Sequence, residues 1–279
     1  ENQKTVLTIF EKRVKTKDLP FFMKLMHGLS KLGIVCPNPI KSKKGSYLFK
    51  IKNKSACLVT FLKGGDKKKL NPINCREIGK KIAELHQATK KLKLNRKNSM
   101  SIKFLPRILN KIDNRINKLS KNLKIGMKLD LKNLAKNWPK NLPNGVIHSD
   151  LFIDNIFFYK NKFYGFIDFY FSSTDFYAYE LATCINALCF DKKNNKFIFN
   201  KKKSISLIKG YSKIRKFSDK EKKSLNVLCK GAALRYLLTR TYDYINTPKS
   251  AVIKIKNPRE YIQKLKLHNK FNNFKNYYN

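Results

Sequence analysis

The spacing of apolar and polar positions divides the chain into an extended, mixed beginning and a long helical remainder. Thr5-Val6-Leu7-Thr8-Ile9-Phe10 reads as a strand. After Asp18-Leu19-Pro20, apolar residues recur at Phe22, Leu25, Met26, Leu29 and Leu32, the spacing of one helix face, and Gly33 stops the run. Asp18 stands where a side chain would cap that helix. Residues 47–51 and 56–61 read as two more strands, joined by Lys52-Asn53-Lys54-Ser55. From Pro72 the period becomes helical, with Ile78, Ile82 and Leu85 on one face of a helix over 72–89. Helices follow near 107–123 and 129–138. Apolar Val146-Ile147 precedes a hairpin whose arms are 156–159 and 163–167, with Lys160-Asn161-Lys162 at the turn. A helix over 176–190, a charged connection over 191–203 and a helix opened by the Ser218/Glu221 capping box come next. Residues 231–245 are helical, and Asn257-Pro258-Arg259-Glu260 opens the last helix with a capping-box-like pair. Residues 271–279 read as a frayed tail.

With 279 residues, 42% hydrophobic content, 20 Phe and 13 Tyr, the chain has enough apolar side chain for two lobes and is not a disordered polyelectrolyte. No run of about 18 apolar residues is present, and no apolar stretch near Glu1 resembles a signal peptide, which implies a cytoplasmic protein with no membrane partner. The six cysteines form no CxxC pair and read as reduced, buried thiols. Sixty-two Lys and Arg against 18 Asp and Glu give a net charge of +44, a value that suggests nucleic acid. The lysines are scattered and mixed with Asn and Ile, however, and no base-reading module is present, so no specific nucleic-acid partner is expected.

One stretch carries chemistry. His148-Ser149-Asp150-Leu151-Phe152-Ile153-Asp154-Asn155 has the form His-x-Asp-x-x-x-x-Asn, and Asp168 follows at the end of the hairpin. Kinase-type phosphoryl transfer needs this set: Asp150 to take the proton of the attacking hydroxyl, and Asn155 and Asp168 to hold the Mg2+ that bridges the ATP phosphates. The catalytic set is therefore Asp150, Asn155 and Asp168, with Asn155 and Asp168 as metal ligands. His148 reads as a brace for the loop, and His86 as a packed, hydrogen-bonded residue. The expected architecture is α+β and two-lobed, like a protein kinase. Residues 1–65 would form a small β-rich lobe ending in a hinge, and 66–279 a larger, mainly helical lobe. Thr8, Phe61, Leu62 and Lys63 are the candidates for contacting ATP. No lysine occupies the strand position expected to bind phosphate, where Thr8 stands with Lys12 and Arg13 just beyond, and the 19–32 helix offers no Glu to pair with one.

The catalytic loop, Ile167-Asp168-Phe169, Asp175 and Glu180-Leu181-Ala182 together resemble the aminoglycoside phosphotransferase and choline kinase-like superfamily. Longer runs resemble its homoserine kinases: Leu7 through Arg13, Asp18 through Phe22, Gly145 through Phe152, Ile167 through Phe171 and Gly231 through Arg240. The resemblance implies ATP-dependent phosphorylation of the L-homoserine hydroxyl, a step towards threonine. A zwitterionic acceptor needs partners of both signs. Asp175 and Glu180 are the candidates for its ammonium, Arg235 and Arg240 for its carboxylate. The loop departs from the family pattern at Ser149 and Ile153. The chain also opens without Met at a probable turn, Glu1-Asn2-Gln3-Lys4, and the hairpin that covers the phosphates in such kinases is absent from it. The expectation is a fragment of low activity. Kinases for other small alcohols, such as choline or an aminoglycoside, share the loop and remain open at this point. So do an inactive kinase relative and a basic nucleic-acid-binding protein.

Overall fold

The computed structural model describes residues 4–11, 14–248 and 255–279. Glu1, Asn2, Gln3, Lys12 and Arg13 lie outside them, and with them the opening turn and the two cations beyond the first strand.

Strand β1 (Thr5–Ile9) pairs antiparallel with β4 (Lys54–Thr60), which also pairs with β2 (Pro39–Ile40) and β3 (Phe49–Ile51). The β3–β4 turn is tight because Lys52 and Asn53 both adopt positive φ, 45° and 62°. Helix α1 (Leu19–Lys31) lies against this sheet and buries Phe22, Leu25, Met26 and Leu29 of the expected stripe together with Met23, while Leu32, just past its end, is exposed. Asp18 does not cap it. Its Oδ2 instead accepts Arg96 Nε and Nη2 at 3.0 and 2.9 Å, tying the helix start to the chain that follows α2 (Pro72–Leu92).

The larger lobe is mainly helical. Helices α3 (Leu105–Asn110) and α4 (Leu123–Asn137) precede β5 (Asn144–Ile147). Strands β6 (Ile156–Tyr159) and β7 (Lys162–Phe166) form the expected hairpin, and β8 (Ser173–Phe176) pairs with β5. Helix α5 (Tyr177–Leu188) leads to a second hairpin, β9 (Phe190–Lys193) and β10 (Lys196–Phe199). Helices α6 (Lys201–Ser212), α7 (Asp219–Asn246), α8 (Arg259–Lys270) and α9 (Lys275–Tyr278) complete the described chain. Their shared core runs from α2 through α5 and α7.

Four local expectations change. The region 107–123 is not one helix: Asp113 accepts the Arg115 N–H at 2.9 Å and starts a separate 3-10 turn over Asn114–Lys118. The stretch 191–203 is not a plain connection but a hairpin and the start of α6, which runs on to Ser212 and whose first residues, Lys201-Lys202-Lys203, obscure its apolar face. That face meets α2 backbone to backbone. A Cβ on Gly79 would stand 2.1 Å from the Leu207 oxygen, and one on Gly210 would stand 1.9 Å from the Arg76 oxygen. Glu260 forms no capping box at α8; its carboxylate reaches Arg240 and Lys264 instead. The tail is not frayed: Tyr277 is fully buried and its hydroxyl bonds to Asn226 and His268.

The lobes are stitched where β4 leaves the sheet. Gly65 N–H donates to the Phe158 oxygen at 3.1 Å and Phe158 N–H returns the bond at 2.8 Å. Gly64 makes that approach feasible, at φ +95° and with room only for hydrogen on the side facing the Phe158 carbonyl. All six cysteines are buried and unbridged. Among the described residues, no helix is long and apolar enough to cross a membrane.

Candidate active site

The catalytic loop begins where buried β5 ends, and its backbone is held from several sides. Ser149 adopts φ +69°, a left-handed conformation that costs a non-glycine residue about 1–2 kcal/mol. Surrounding bonds hold it there. Glu180, fully buried on α5, accepts the N–H groups of both His148 and Ser149, the second at 3.0 Å. The Ser149 carbonyl accepts Arg235 Nη1 at 2.9 Å and lies 3.2 Å from the Tyr236 hydroxyl. Its own hydroxyl pairs with that of Ser173 at 3.0 Å. Strain maintained by this many partners is common where a backbone must present a functional side chain.

His148 completes the frame. Its Nε2 lies 2.8 Å from the Ile167 carbonyl, an acceptor only, so Nε2 carries the proton. The imidazole thus links the catalytic loop to the residue before Asp168. Asn155 Nδ2 donates to the Asp150 carbonyl at 2.8 Å, and Ile167 N–H donates to the Asn155 carbonyl at 3.1 Å. The β6–β7 register, Ile156 opposite Phe166, explains this closure, and positive φ at Lys160 and Asn161 makes the turn. Asp168 then takes φ +61°, ψ +62° and projects into the cleft.

Two cavities meet at Asp168. The larger, about 440 Å3, is lined by Asp150, Asn155 and Asp168 on one side and by α7 on the other. Arg235, Tyr236, Thr239, Arg240 and Asp243 supply the α7 wall, one face of the helix at i, i+1, i+4, i+5 and i+8. The smaller, about 240 Å3, is an apolar slot between the sheet and the hairpin, lined by Thr8, Phe61, Leu62, Ile167 and Tyr170 among others. Asp150 lies beside the Tyr236 hydroxyl, 3.2 Å from its Oδ1. Burial raises the Asp150 carboxyl above its ordinary value, while the charge of Arg235 and the Tyr236 bond pull the other way.

Of the residues expected at the site, Asp150, Asn155, Asp168, Arg235, Arg240, Thr8, Phe61 and Leu62 line these two cavities. Three do not. Lys63 is exposed beyond the slot. Asp175 Oδ2 accepts Asn98 Nδ2 at 2.6 Å, and its Oδ1 accepts Phe176 N–H at 2.8 Å, away from the larger cavity. Glu180 has no solvent-accessible surface and both its oxygens serve the loop backbone. Arg235, though on the cavity, donates to the loop carbonyl. Tyr236, Thr239 and Asp243 were missed, although helical spacing from Arg235 and Arg240 would have placed them on the same face. His86 is packed as expected, with Nδ1 2.8 Å from the Tyr211 hydroxyl.

Known proteins resemble this chain in sequence and in fold. Residues 1–195 match the phosphotransferase enzyme family. The homoserine kinase of Methylobacterium radiotolerans is 39% identical over 272 residues, covering 98% of this chain and 84% of the relative. That of Allorhizobium ampelinum is 41% identical over 263 residues, 94% and 81% of the two chains. Among solved structures, the amicoumacin kinase hAmiN, solved with AMP-PNP, Ca2+ and Ami, superposes with a TM-score of 0.73 at 14% identity, over 96% of this chain and 82% of that one. Choline kinase from Cryptosporidium parvum gives 0.65 at 17% identity, over 95% and 83%. The fold is the α+β, two-lobed, kinase-like one. The chain belongs to the phosphotransferase enzyme family, in the same sequence family as these homoserine kinases.

Proposed function

We propose that the chain transfers the γ-phosphoryl group of ATP to the hydroxyl of L-homoserine, giving O-phospho-L-homoserine in threonine biosynthesis. The observation that carries this reading is the 39–41% identity to curated homoserine kinases across more than nine-tenths of the chain. Residues 1–65 act as the nucleotide-side lobe and 66–279 as the acceptor-side lobe. Adenine fits the apolar slot beside Phe61 and Leu62, with Thr8 on its sheet side, and the phosphates extend towards Asp168. Homoserine fits the larger cavity with its hydroxyl at Asp150. The hydroxyl oxygen attacks the γ-phosphorus, the bond to the ADP oxygen breaks, and Asp150 takes the hydroxyl proton.

Asn155 and Asp168 fit Mg2+. Both offer oxygen ligands to the cleft, and the Asn155 amide nitrogen, turned towards the Asp150 carbonyl, leaves its oxygen on the other side. Two protein oxygens plus nucleotide phosphates are a usual environment for this ion. When bound, the ion would offset negative charge on the transferred phosphoryl group. The acceptor's carboxylate is assigned to Arg240. Its ammonium is assigned to Asp243, one helical turn away on the same cavity wall, in place of Asp175 and Glu180.

ADP release measured with L-homoserine, choline, ethanolamine and an aminoglycoside tests the reading. Homoserine should give by far the highest kcat/KM. A higher value for choline or ethanolamine would assign the chain to a different acceptor.

A further inference from the structure

The wall that holds Arg240 contains a row of three charges, a half-buried carboxylate between two buried cations. Arg240 is 8% exposed, and its guanidinium lies over the Tyr261 ring at 4.5 Å. Its Nη1 donates to Glu260 Oε2 at 2.6 Å. The other oxygen of Glu260 accepts Lys264 Nζ at 2.5 Å, one turn along α8. Lys264 is only 2% exposed and donates a further bond to the Asn186 carbonyl at 2.6 Å. Aromatic rings of Phe190, Phe197 and Tyr261 surround its ammonium.

The row reads plus, minus, plus. With Arg240 alone, Glu260 would form a neutral pair and cancel the attraction that a carboxylate in the cavity would feel. Lys264 engages the second Glu260 oxygen, so Glu260 is shared between two cations and the row as a whole keeps one positive charge. A row of net positive charge on the cavity wall favours an anionic ligand over a neutral one. The same two-sided grip prevents Glu260 from swinging, which fixes the plane of the Arg240 fork. Burial alone would raise the Glu260 carboxyl, but the two flanking cations outweigh it and hold it below its ordinary value.

We propose that Glu260 and Lys264 are positioning residues for acceptor specificity, holding Arg240 oriented and, because Lys264 shares the Glu260 charge, only partly neutralised, so that the cavity selects an alcohol bearing a carboxylate. This rests on the reading of the larger cavity as the homoserine site. Neither residue touches substrate; both act through Arg240.

The test is the ratio of kcat/KM for L-homoserine to that for 2-amino-1,4-butanediol, which keeps the ammonium and hydroxyl but lacks the carboxylate. Removing Glu260 alone would strand a buried lysine, so the first variant is Lys264→Met, which leaves Glu260 and Arg240 as a neutral pair. The second is Glu260→Asp, which keeps the charge but is too short to bridge Arg240 and Lys264. In both, the ratio should fall about tenfold or more through the homoserine KM, the equivalent of losing one oriented charged contact. The KM for ATP should stay unchanged. Ratios within about twofold of the parent chain in both variants would overturn the proposal. A parent chain that does not itself favour homoserine over the diol would overturn the homoserine reading, and this inference with it.

Discussion

Arg235 donates from Nη1 to the carbonyl oxygen of Ser149 across 2.9 Å. Charge and helical position suggested that this arginine would hold the acceptor carboxylate. The contact gives it another task, because the carbonyl it holds belongs to the left-handed residue immediately before Asp150. Arg235→Ala should therefore lower kcat as well as raise the KM for homoserine, with the larger part of the loss in kcat. Removing a charged partner from a buried bond costs about 1.5–3 kcal/mol, or roughly 10- to 150-fold in kcat/KM. Steady-state kinetics with homoserine varied at saturating ATP measures the split. A loss confined to KM would return Arg235 to the acceptor side.

Asp150 and Asp168 line the same cavity but should fail in different ways. Asp150→Asn removes the proton acceptor, and turnover should fall by roughly 10³-fold or more with nucleotide affinity nearly intact. Asp168→Asn should also abolish turnover but, because Asp168 lines the nucleotide slot too, should weaken Mg2+-dependent ATP binding in a titration. Turnover near that of the parent in either variant would be incompatible with the proposed roles.

These residues were readable because they are close in sequence. The loop from His148 to Asn155 is contiguous, and a hairpin of two short apolar strands returns Asp168 to it by local pairing alone. The helix stripes of α1 and α2 were equally legible, since burial there follows one face. What was lost depends on distant partners. Asp18 looks like a cap until Arg96 comes within 3 Å, and Glu260 looks like a capping-box member until Arg240 and Lys264 claim it. Glu180 looks like a free carboxylate until α5 packs under the loop. Helix α6 was missed because three lysines open it, whereas Asp243 was within reach, three residues past Arg240 on a face the two arginines already marked.

Activity should carry the mark of the buried Asp150. Burial raises its pKa, with the Asp168 charge adding in the same direction, while Arg235, His148 and the Tyr236 hydroxyl oppose the rise. The carboxylate is the active form, so kcat should decline as pH falls through a pKa above the ordinary value of about 3.9 for an exposed aspartate. Tyr236→Phe removes a bond that favours the ionised form and should move the acid limb further up in pH. A limb at the ordinary aspartate value, unmoved in Tyr236→Phe, would exclude Asp150 as the titrating group.

His268 should make the fold itself sensitive to acid. It is fully buried between Tyr277, whose hydroxyl is 2.9 Å from Nδ1, and Asn186, whose Oδ1 is 3.1 Å from Nε2. The Asn186 amide donates to two carbonyls, of Ala182 and Cys229, which leaves its oxygen as the acceptor. Nε2 is then the donor, and Nδ1 accepts from Tyr277, so the ring is satisfied only when neutral. Burial, with Lys264 and Lys230 nearby, lowers its pKa to about 3, against about 6.5 in an unfolded chain. Between those values the unfolded chain binds the extra proton. The stability is fully present above about pH 6.5 and lost progressively as pH falls towards 3, with a ceiling on the order of 5 kcal/mol. His268→Gln keeps a donor and an acceptor in similar places but does not titrate. Its Tm should therefore fall less steeply than the parent's between pH 6.5 and 4. Losses from paired carboxylates are common to both proteins, so the difference between the curves isolates the histidine. Parallel curves would mean that His268 is not held neutral by this network.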